Sequence, residues 1–390
     1  MAITIKNAEN ALKSFYLDAL SEQLNTNINP FLAVIEKSSS YVSGKDVVVP
    51  VAHGVNGGFG AGTEDGDLPG CSGDRYSQFV APLKNLYGVI QISDKAVRAS
   101  ENSAGAMVNL LNTEMESLIK ASKYNFGRML FGDGSGRLCT VENSQANVLF
   151  VDDATNVFEG LTVDLYSNVG NIIKKGIRVK EVNFNDKAII FAQNSFSSGD
   201  VAVGAFITVQ NSNNNEITGL GAIFNEESSL LYGVNKISNK WLRPYEMKEV
   251  GEISEMDIQT ALDEIEQISG SAPDIIICSM GVRRALQQLF SANRRVIDTV
   301  ELAGGYKAMS YNGIPIVADR FCPNGTMYML NSKDFTLHQL CDWQWLAGDD
   351  GRILQQVPGK PVYTATLVKY AELICSHPCA QGRLTGITEA

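Results

Sequence analysis

Between Val47 and Leu138 the sequence describes an extended hairpin that runs into one long amphipathic helix. The hairpin arms are Val47-Val48-Val49-Pro50-Val51 and Tyr76-Ser77-Gln78-Phe79-Val80-Ala81, with Val89-Ile90-Gln91-Ile92 continuing the second arm. Eight glycines from Gly54 to Gly73 separate the arms, together with Glu64, Asp65, Asp67 and Asp74. A loop of about 20 residues without an apolar face is uncommon inside a compact domain. Its sequence gives it nothing to bury, so order has to come from outside its own fold. The feature marks a chain built to touch neighbours.

The helix begins near Asn102 or Ser103, either of which can cap it, and ends at Gly132-Asp133-Gly134-Ser135-Gly136. Its apolar stripe is Met107, Leu110, Leu111, Met115, Leu118, Ile119, Phe126, Met129 and Leu130, a 3.6-residue period with Ser122 as the polar intruder. Glu101, Glu114 and Glu116 precede Lys120, Lys123 and Arg128, the order that favours the helix dipole. At 1.5 Å per residue, Ala104 to Phe131 reaches roughly 42 Å, the length of a spine. A short helix over Lys95 to Ser100 is expected just before it.

Upstream, Ala8 to Leu24 has helical spacing and stops at Asn29-Pro30, which reads as part of an arm. Downstream, the pattern turns to strands: Leu161 to Leu165, Ile177 to Phe184 and Lys187 to Phe191 around an Asn185-Asp186 turn, and Val201 to Val209. This stretch reads as a small β-barrel or sandwich inserted as a unit. Further on, Ser254 with Asp257 opens a helix carrying Ile258, Ala261, Leu262, Ile265 and Ile268 and closed by Gly270. A buried strand, Asp274 to Ile277, and a helix, Gly281 to Phe290, follow. Two hairpin-like strands, Ile314 to Ala318 and Met327 to Leu330, flank Pro323-Asn324-Gly325, and Pro361 to Leu373 is a last long strand. The mixture is α+β rather than a repeated βαβ series.

Chemistry is sparse. His53, His338 and His377 lie in unrelated contexts, with no Gly-x-Ser-x-Gly elbow, so no acid–base set converges. Cys375-Ser376-His377-Pro378-Cys379 lacks a second ligand pair at zinc spacing and reads as a turn. Gly57 to Gly62 misses the dinucleotide spacing and opens no helix, and Gly132 to Gly136 follows a helix, the wrong end of the dipole for phosphate. Glu64, Asp65 and Asp67 could share a divalent cation with a neighbour's oxygens, but such a run is more often a solvated loop tip. No enzyme activity, cofactor or metal is expected.

Net charge is −11, and the tight basic clusters are Arg283-Arg284 and Arg294-Arg295, which read as solvated helix faces. A duplex-gripping protein normally carries a basic face. An acidic subunit can still enclose DNA without adhering to it. Seven scattered cysteines (Cys71, Cys139, Cys278, Cys322, Cys341, Cys375 and Cys379) suggest free thiols in a reducing cytoplasm. No apolar run approaches the roughly 18 residues of a membrane span, and Met1 to Asn7 shows no secretory signal.

Taken in order, four segments resemble the major capsid proteins of tailed double-stranded DNA phages, the Hong Kong 97-like fold. They are Val89-Ile90-Gln91-Ile92-Ser93-Asp94-Lys95-Ala96 with the long helix and Phe131 to Gly136, then Leu231 to Lys236 with Trp241-Leu242-Arg243-Pro244. Tyr311 to Asp319 with Pro323 to Asn331, and Glu372-Leu373 through Pro378-Cys379-Ala380 to Ile387, complete the set. The resemblance implies an N-terminal arm (1–44), an extended hairpin loop (45–92), a spine helix of a peripheral domain (93–139) and an inserted β-barrel or sandwich (140–217). A mainly axial part with peripheral segments (218–335) and terminal strands completing both domains (336–390) follow.

It further implies self-assembly as hexamers and pentamers into an icosahedral head that encloses the genome, with portal and decoration proteins as possible partners. Only about 45 residues precede the hairpin, which favours a separate scaffolding protein. Phe59, Glu64, Asp65, Asp67 and Arg75 are the expected inter-subunit residues, and Met107, Leu111, Leu118, Phe126 and Leu130 the helix core. Cross-linking relatives join a loop lysine to a neighbour's asparagine. This chain has no lysine between His53 and Pro82, with Lys45 and Lys84 at the base, so no such bond is expected. An encapsulin-like compartment shares the fold and is the near alternative; a soluble hydrolase or nucleotide-binding enzyme is the remote one.

Overall fold

The computed structural model describes residues 29–54, 57–67, 70, 73, 75–96, 104–192, 196, 201–292, 299–301, 307–348 and 351–390; the side chains of 104–113, 292, 299–301 and 307–308 are not among the described ones. The expected helix from Ala8 to Leu24, most of the short one from Lys95 to Ser100, and Arg294-Arg295 lie outside this set. The chain divides into two compact units, Met1–Lys123 with Ile223–Ala390, and Tyr124–Ala222.

In the first unit a helical turn, Pro30–Val34, leads to β1 (Glu36–Ser38), β2 (Val42–Ser43), β3 (Asp46–His53), β4 (Arg75–Pro82) and β5 (Lys84–Ser93). β2, β3 and β4 form a three-stranded antiparallel sheet. β5 leaves it, correcting the expectation that Val89 to Ile92 continue the hairpin's second arm: β5 pairs instead with a late strand, Ser93 opposite Val362 through Lys84 opposite Ala371. The change of sheet falls at Pro82-Leu83. Proline has no N–H to extend the ladder, and Leu83 donates back to the Lys45 carbonyl at 2.9 Å. β5 alternates cleanly, with Leu86, Ile90 and Ile92 buried and Tyr87 and Val89 exposed.

Helix α1 spans Ala104–Phe131. Met115 and Ile119 are buried, and Leu118 is half-buried. A Cβ at Gly88 would stand 2.9 Å from the Leu118 Cδ1, so glycine there lets the leucine side chain lie close against β5. Phe126 and Leu130 are buried as expected, whereas the Met107 and Leu111 side chains lie outside the described residues. Lys123 and Arg128 are buried. Arg128 has a partner 88 residues away, Glu216, at 2.5 Å, a relation that helical spacing cannot show.

The second unit holds β6 (Arg137–Gln145), β7 (Val148–Val151), β8 (Thr162–Tyr166), β9 (Ile172–Asn183), β10 (Ala188–Phe191) and β11 (Phe206–Val209). They close into an antiparallel barrel in the order β10-β7-β6-β11-β8-β9. Its interior contains Val141, Leu149, Val163, Leu165, Ile177, Val179, Ile189 and Ile207. Closure removes exposed edges, and inward and outward residues alternate along each strand. Asn183 organises the β9–β10 turn by accepting from the Asn185 and Asp186 N–H groups. Val201 to Val209 is only partly strand: residues 201–205 form a turn, with Ala205 N–H bonded to the Ala202 carbonyl, and β11 begins at Phe206.

Back in the first unit come β12 (Leu230–Leu231), β13 (Val234–Asn235), β14 (Tyr245–Met247), α2 (Glu255–Ser269), β15 (Ile275–Cys278) and α3 (Met280–Ala292). Next are β16 (Thr299–Glu301), β17 (Lys307–Tyr311), β18 (Ile314–Ala318) and β19 (Met327–Leu330). The last four are β20 (Phe335–Trp345), β21 (Gln355–Gln356), β22 (Val362–Cys375) and β23 (Gly382–Leu384). A seven-stranded sheet runs β14-β23-β19-β15-β18-β17-β16. β18 and β19 are not hairpin partners, as their spacing suggested; β15 lies between them, parallel to β18 and antiparallel to β19. The fully apolar Ile275-Ile276-Ile277-Cys278 takes the most buried place, and β18 instead forms its hairpin with β17 across Asn312-Gly313.

Helix α2 carries the expected capping box: Ser254 accepts from the Asp257 N–H, and Asp257 accepts from the Ser254 N–H. Gly270 ends it at φ +70, a backbone that side-chain-bearing residues rarely adopt. Ile258, Leu262, Val282, Leu286, Ile316 and Met329 share one core. The other large sheet runs β1-β20-β22-β21, with β5 also on β22.

Candidate inter-subunit surface

The hairpin is held at its base and bare at its tip. β3 and β4 pair without a break from Asp46 opposite Pro82 to His53 opposite Arg75. Period-two alternation turns Val47, Val51, Phe79 and Ala81 to one face, where all four are buried. Phe79 meets Tyr232 at a ring separation of 5.2 Å and stacks on Trp241 at 5.8 Å. His53 stacks on the same indole at 4.5 Å with its rings 8° from parallel, and its Nε2 lies 2.9 Å from Ser77 Oγ. Backbone bonds reinforce the stack: Val80 N–H donates to the Tyr232 carbonyl at 3.0 Å, and the Tyr232 hydroxyl accepts from Cys375 N–H at 3.2 Å. Burial holds the Tyr232 phenol well above its usual pKa, so it stays a neutral partner.

The segment that supplies the indole is itself braced. Lys236 Nζ donates to the Ile223 and Asn225 carbonyls, each at 2.8 Å, and burial lowers its pKa. Arg243 donates to the Lys236 and Ile237 carbonyls. A second brace is His338, buried on β20, whose Nδ1 lies 3.0 Å from the Ser40 carbonyl; burial lowers its pKa. These braces fix the direction in which the hairpin leaves.

Among the described residues the tip beyond His53 is exposed rather than packed. Residues 57–67 are all exposed, and Phe59 retains 96% of its accessible surface. A tight turn, Gly66 N–H to the Thr63 carbonyl at 3.1 Å, brings Glu64, Asp65 and Asp67 together. None of the three forms an ion pair among the described residues. Arg75 stands apart from them, exposed at the start of β4. Among the described residues no group of three or more His, Cys, Asp or Glu is placed to hold a metal ion. No helix among them is long and apolar enough to cross a membrane.

Sequence reading missed two features, one in each unit. One is the His53–Trp241–Phe79–Tyr232 stack; the alternation of Phe79 with exposed neighbours was its only local signal. The other is a basic strand. The tight cationic clusters were sought as adjacent arginines, but Lys174, Lys175, Arg178 and Lys180, all exposed, concentrate on β9. Lys174-Lys175 is itself an adjacent pair, and extending it at strand period adds Arg178 and Lys180.

No protein-family model and no curated protein sequence matches this chain. Solved structures do. The capsid asymmetric unit of cyanophage A-1(L) superposes with a TM-score of 0.56 at 13% identity, covering 94% of this chain and 92% of that one. The holo-SrpI encapsulin complex from Synechococcus elongatus gives 0.48 at 11% identity, covering 92% and 88%. The satellite phage P4 procapsid that includes the size determination protein gives 0.46 at 11% identity, covering 96% and 98%. Across nearly its whole length, this chain shares the fold of the cyanophage capsid subunit.

Proposed function

We propose that the chain is the major capsid protein of a tailed double-stranded DNA phage, assembling as hexamers and pentamers into an icosahedral head. One observation carries the reading: a fold shared with a phage capsid subunit over 94% of the chain. The braced hairpin supports it, because a base held by packing with an exposed tip suits a segment completed by a neighbour. Closed assemblies repeat one contact many times, so modest interfaces accumulate into a stable shell. In this reading the barrel is an insertion into the capsid fold. The seven-stranded sheet with α2 and α3 is the axial domain, and α1 with the β5–β22 sheet is the peripheral one. The chain performs no catalysis, needs no cofactor and encloses DNA without reading its sequence. A separate scaffolding protein and a portal are its assembly partners, with decoration proteins binding outside. Assembly takes place in the host cytoplasm, and the product resides in the virion.

Electron microscopy of the purified full-length protein tests this. Closed shells are expected, and deleting residues 55–73 leaves a folded subunit that no longer forms them. Wild-type protein that remains monomeric at all concentrations refutes the shell. Normal shells from the deletion variant refute the role of the hairpin. Shells that package protein cargo and never DNA assign an encapsulin-like compartment instead.

A further inference from the structure

Two groups of unpaired charge face solvent, and they are of opposite sign. On β9, four exposed cations fall within seven positions: Lys174, Lys175, Arg178 and Lys180. Ile177 and Val179 between them belong to the barrel core, so the stretch 174–180 is apolar inward and basic outward, with the exposed Glu181 following it on the strand. The nearest acid on the adjoining strand does not neutralise them. Asp164 is fully buried, and its carboxylate oxygens accept from the Gly176 and Asn211 backbone N–H groups. None of the four cations forms an ion pair among the described residues. In a chain of net charge −11 this stripe runs against the background. Like charges at such spacing repel one another unless something acidic covers them.

The acidic counterpart is the hairpin tip, where Glu64, Asp65 and Asp67 are exposed and form no ion pair among the described residues. Its arms, eight residues each, set the tip roughly 25 Å beyond the base at about 3.3 Å per residue. The apolar flanks match as well. Exposed Val169 and Ile172 border the basic stretch on one side and exposed Phe184 on the other, while the tip carries the fully exposed Phe59.

We propose that the outer face of β9 is the docking surface for the hairpin tip of a second copy of this chain. Glu64, Asp65 and Asp67 of one copy meet Lys174, Lys175, Arg178 and Lys180 of another. The proposal rests on the shell reading and names the surface that receives the tip. An arginine fork accepts a carboxylate with two parallel hydrogen bonds, so Arg178 sets the register while the lysines supply charge. Single exposed ion pairs are weak and salt-sensitive. The contact is therefore reversible in one pair of subunits and effective when repeated around a closed shell.

Charge reversal with rescue tests it on the full-length chain. Lys174→Glu/Arg178→Glu/Lys180→Glu and, separately, Glu64→Lys/Asp65→Lys/Asp67→Lys are each expected to reduce shell yield at least about tenfold near 0.1 M salt. The combined variant restores most of it. Hydrogen exchange across the barrel checks that the β9 variant is folded, and the milder Lys174→Gln/Lys180→Gln should give an intermediate yield. In wild-type shells a carbodiimide, which condenses a carboxylate with a lysine amine by loss of water, should join peptides containing residues 64–67 to peptides containing 174–180. Normal shells from the β9 reversal, with the loop-deletion variant still unable to assemble, overturn the docking surface and leave the shell reading intact. Shells that form normally but lose nucleic acid assign β9 to DNA and also overturn it. Wild-type protein that stays monomeric and yields no such cross-link refutes both.

Discussion

Removing the Glu216 carboxylate should destabilise the barrel unit far more than removing both members of its ion pair. Arg128 and Glu216 are 2.5 Å apart, with side chains 6% and 2% exposed. At an effective dielectric constant near 20, two unit charges about 4 Å apart attract by about 4 kcal/mol. Desolvating both consumes much of that gain, so the intact pair adds little net stability. Glu216→Ala is different: it leaves a buried guanidinium whose Nε already lacks a partner among the described residues. The expected loss is about 3–5 kcal/mol. Arg128→Met strands the carboxylate and should cost a similar amount. Arg128→Met/Glu216→Leu should lie within about 1.5 kcal/mol of wild type, because both charges leave together and the volume is kept. All three tryptophans (Trp241, Trp343 and Trp345) fall outside Tyr124–Ala222, so fluorescence reports on the other unit. Amide hydrogen exchange of β6 to β11 gives the opening free energy of the barrel directly. Additive losses, with the double variant about as unstable as the two single losses summed, would refute the coupling and the claim that this pair matters mainly when broken.

Three further outcomes follow from the structure. Asp319 is buried with Oδ2 unpartnered among the described residues, and burial pushes its pKa from 3.8 up to about 6. A carboxyl with a raised folded-state pKa adds stability below pH 4 that is lost as pH climbs through 6; the difference is about 3 kcal/mol. Asp319→Asn should flatten the stability profile across that window in denaturant titrations, and an unchanged slope would contradict the burial argument. Trp241→Ala removes the surface on which His53 and Phe79 stack and should cost about 3–5 kcal/mol locally. Faster exchange confined to β3 and β4 is the signature, and unaltered protection there would show that the hairpin is braced elsewhere. Mature shells should run as single chains of 42.3 kDa on a reducing denaturing gel, since the hairpin between His53 and Pro82 has no lysine; a ladder carrying a Lys–Asn peptide would overturn this.

Local patterns were legible wherever one element decided its own form. The 3.6-residue stripe marked α1, whose bounds the structure gives as Ala104–Phe131, and the Ser254/Asp257 box and Gly270 marked both ends of α2. A glycine-rich acidic tip without an apolar face was readable as an exposed segment, because burial needs apolar side chains that the tip mostly lacks. The α+β character followed from periods that change along the chain.

Which strands meet was another matter, since pairing is settled by packing between distant segments. β5 deserts the hairpin for β22, some 270 positions later, and β15 inserts itself between β18 and β19. Helical spacing placed Arg128 in the last turn of α1 but named no partner, and Glu216 lies against it because the chain returns there after closing the barrel. Four cations spread over seven residues became one basic face only when the barrel turned Ile177 and Val179 inward. Sequence alone determined the periods, caps and turns, which depend on neighbours a few residues apart. The tertiary structure alone decided the strand order, the buried charge pair and the aromatic brace, because each depends on which remote surfaces exclude water together.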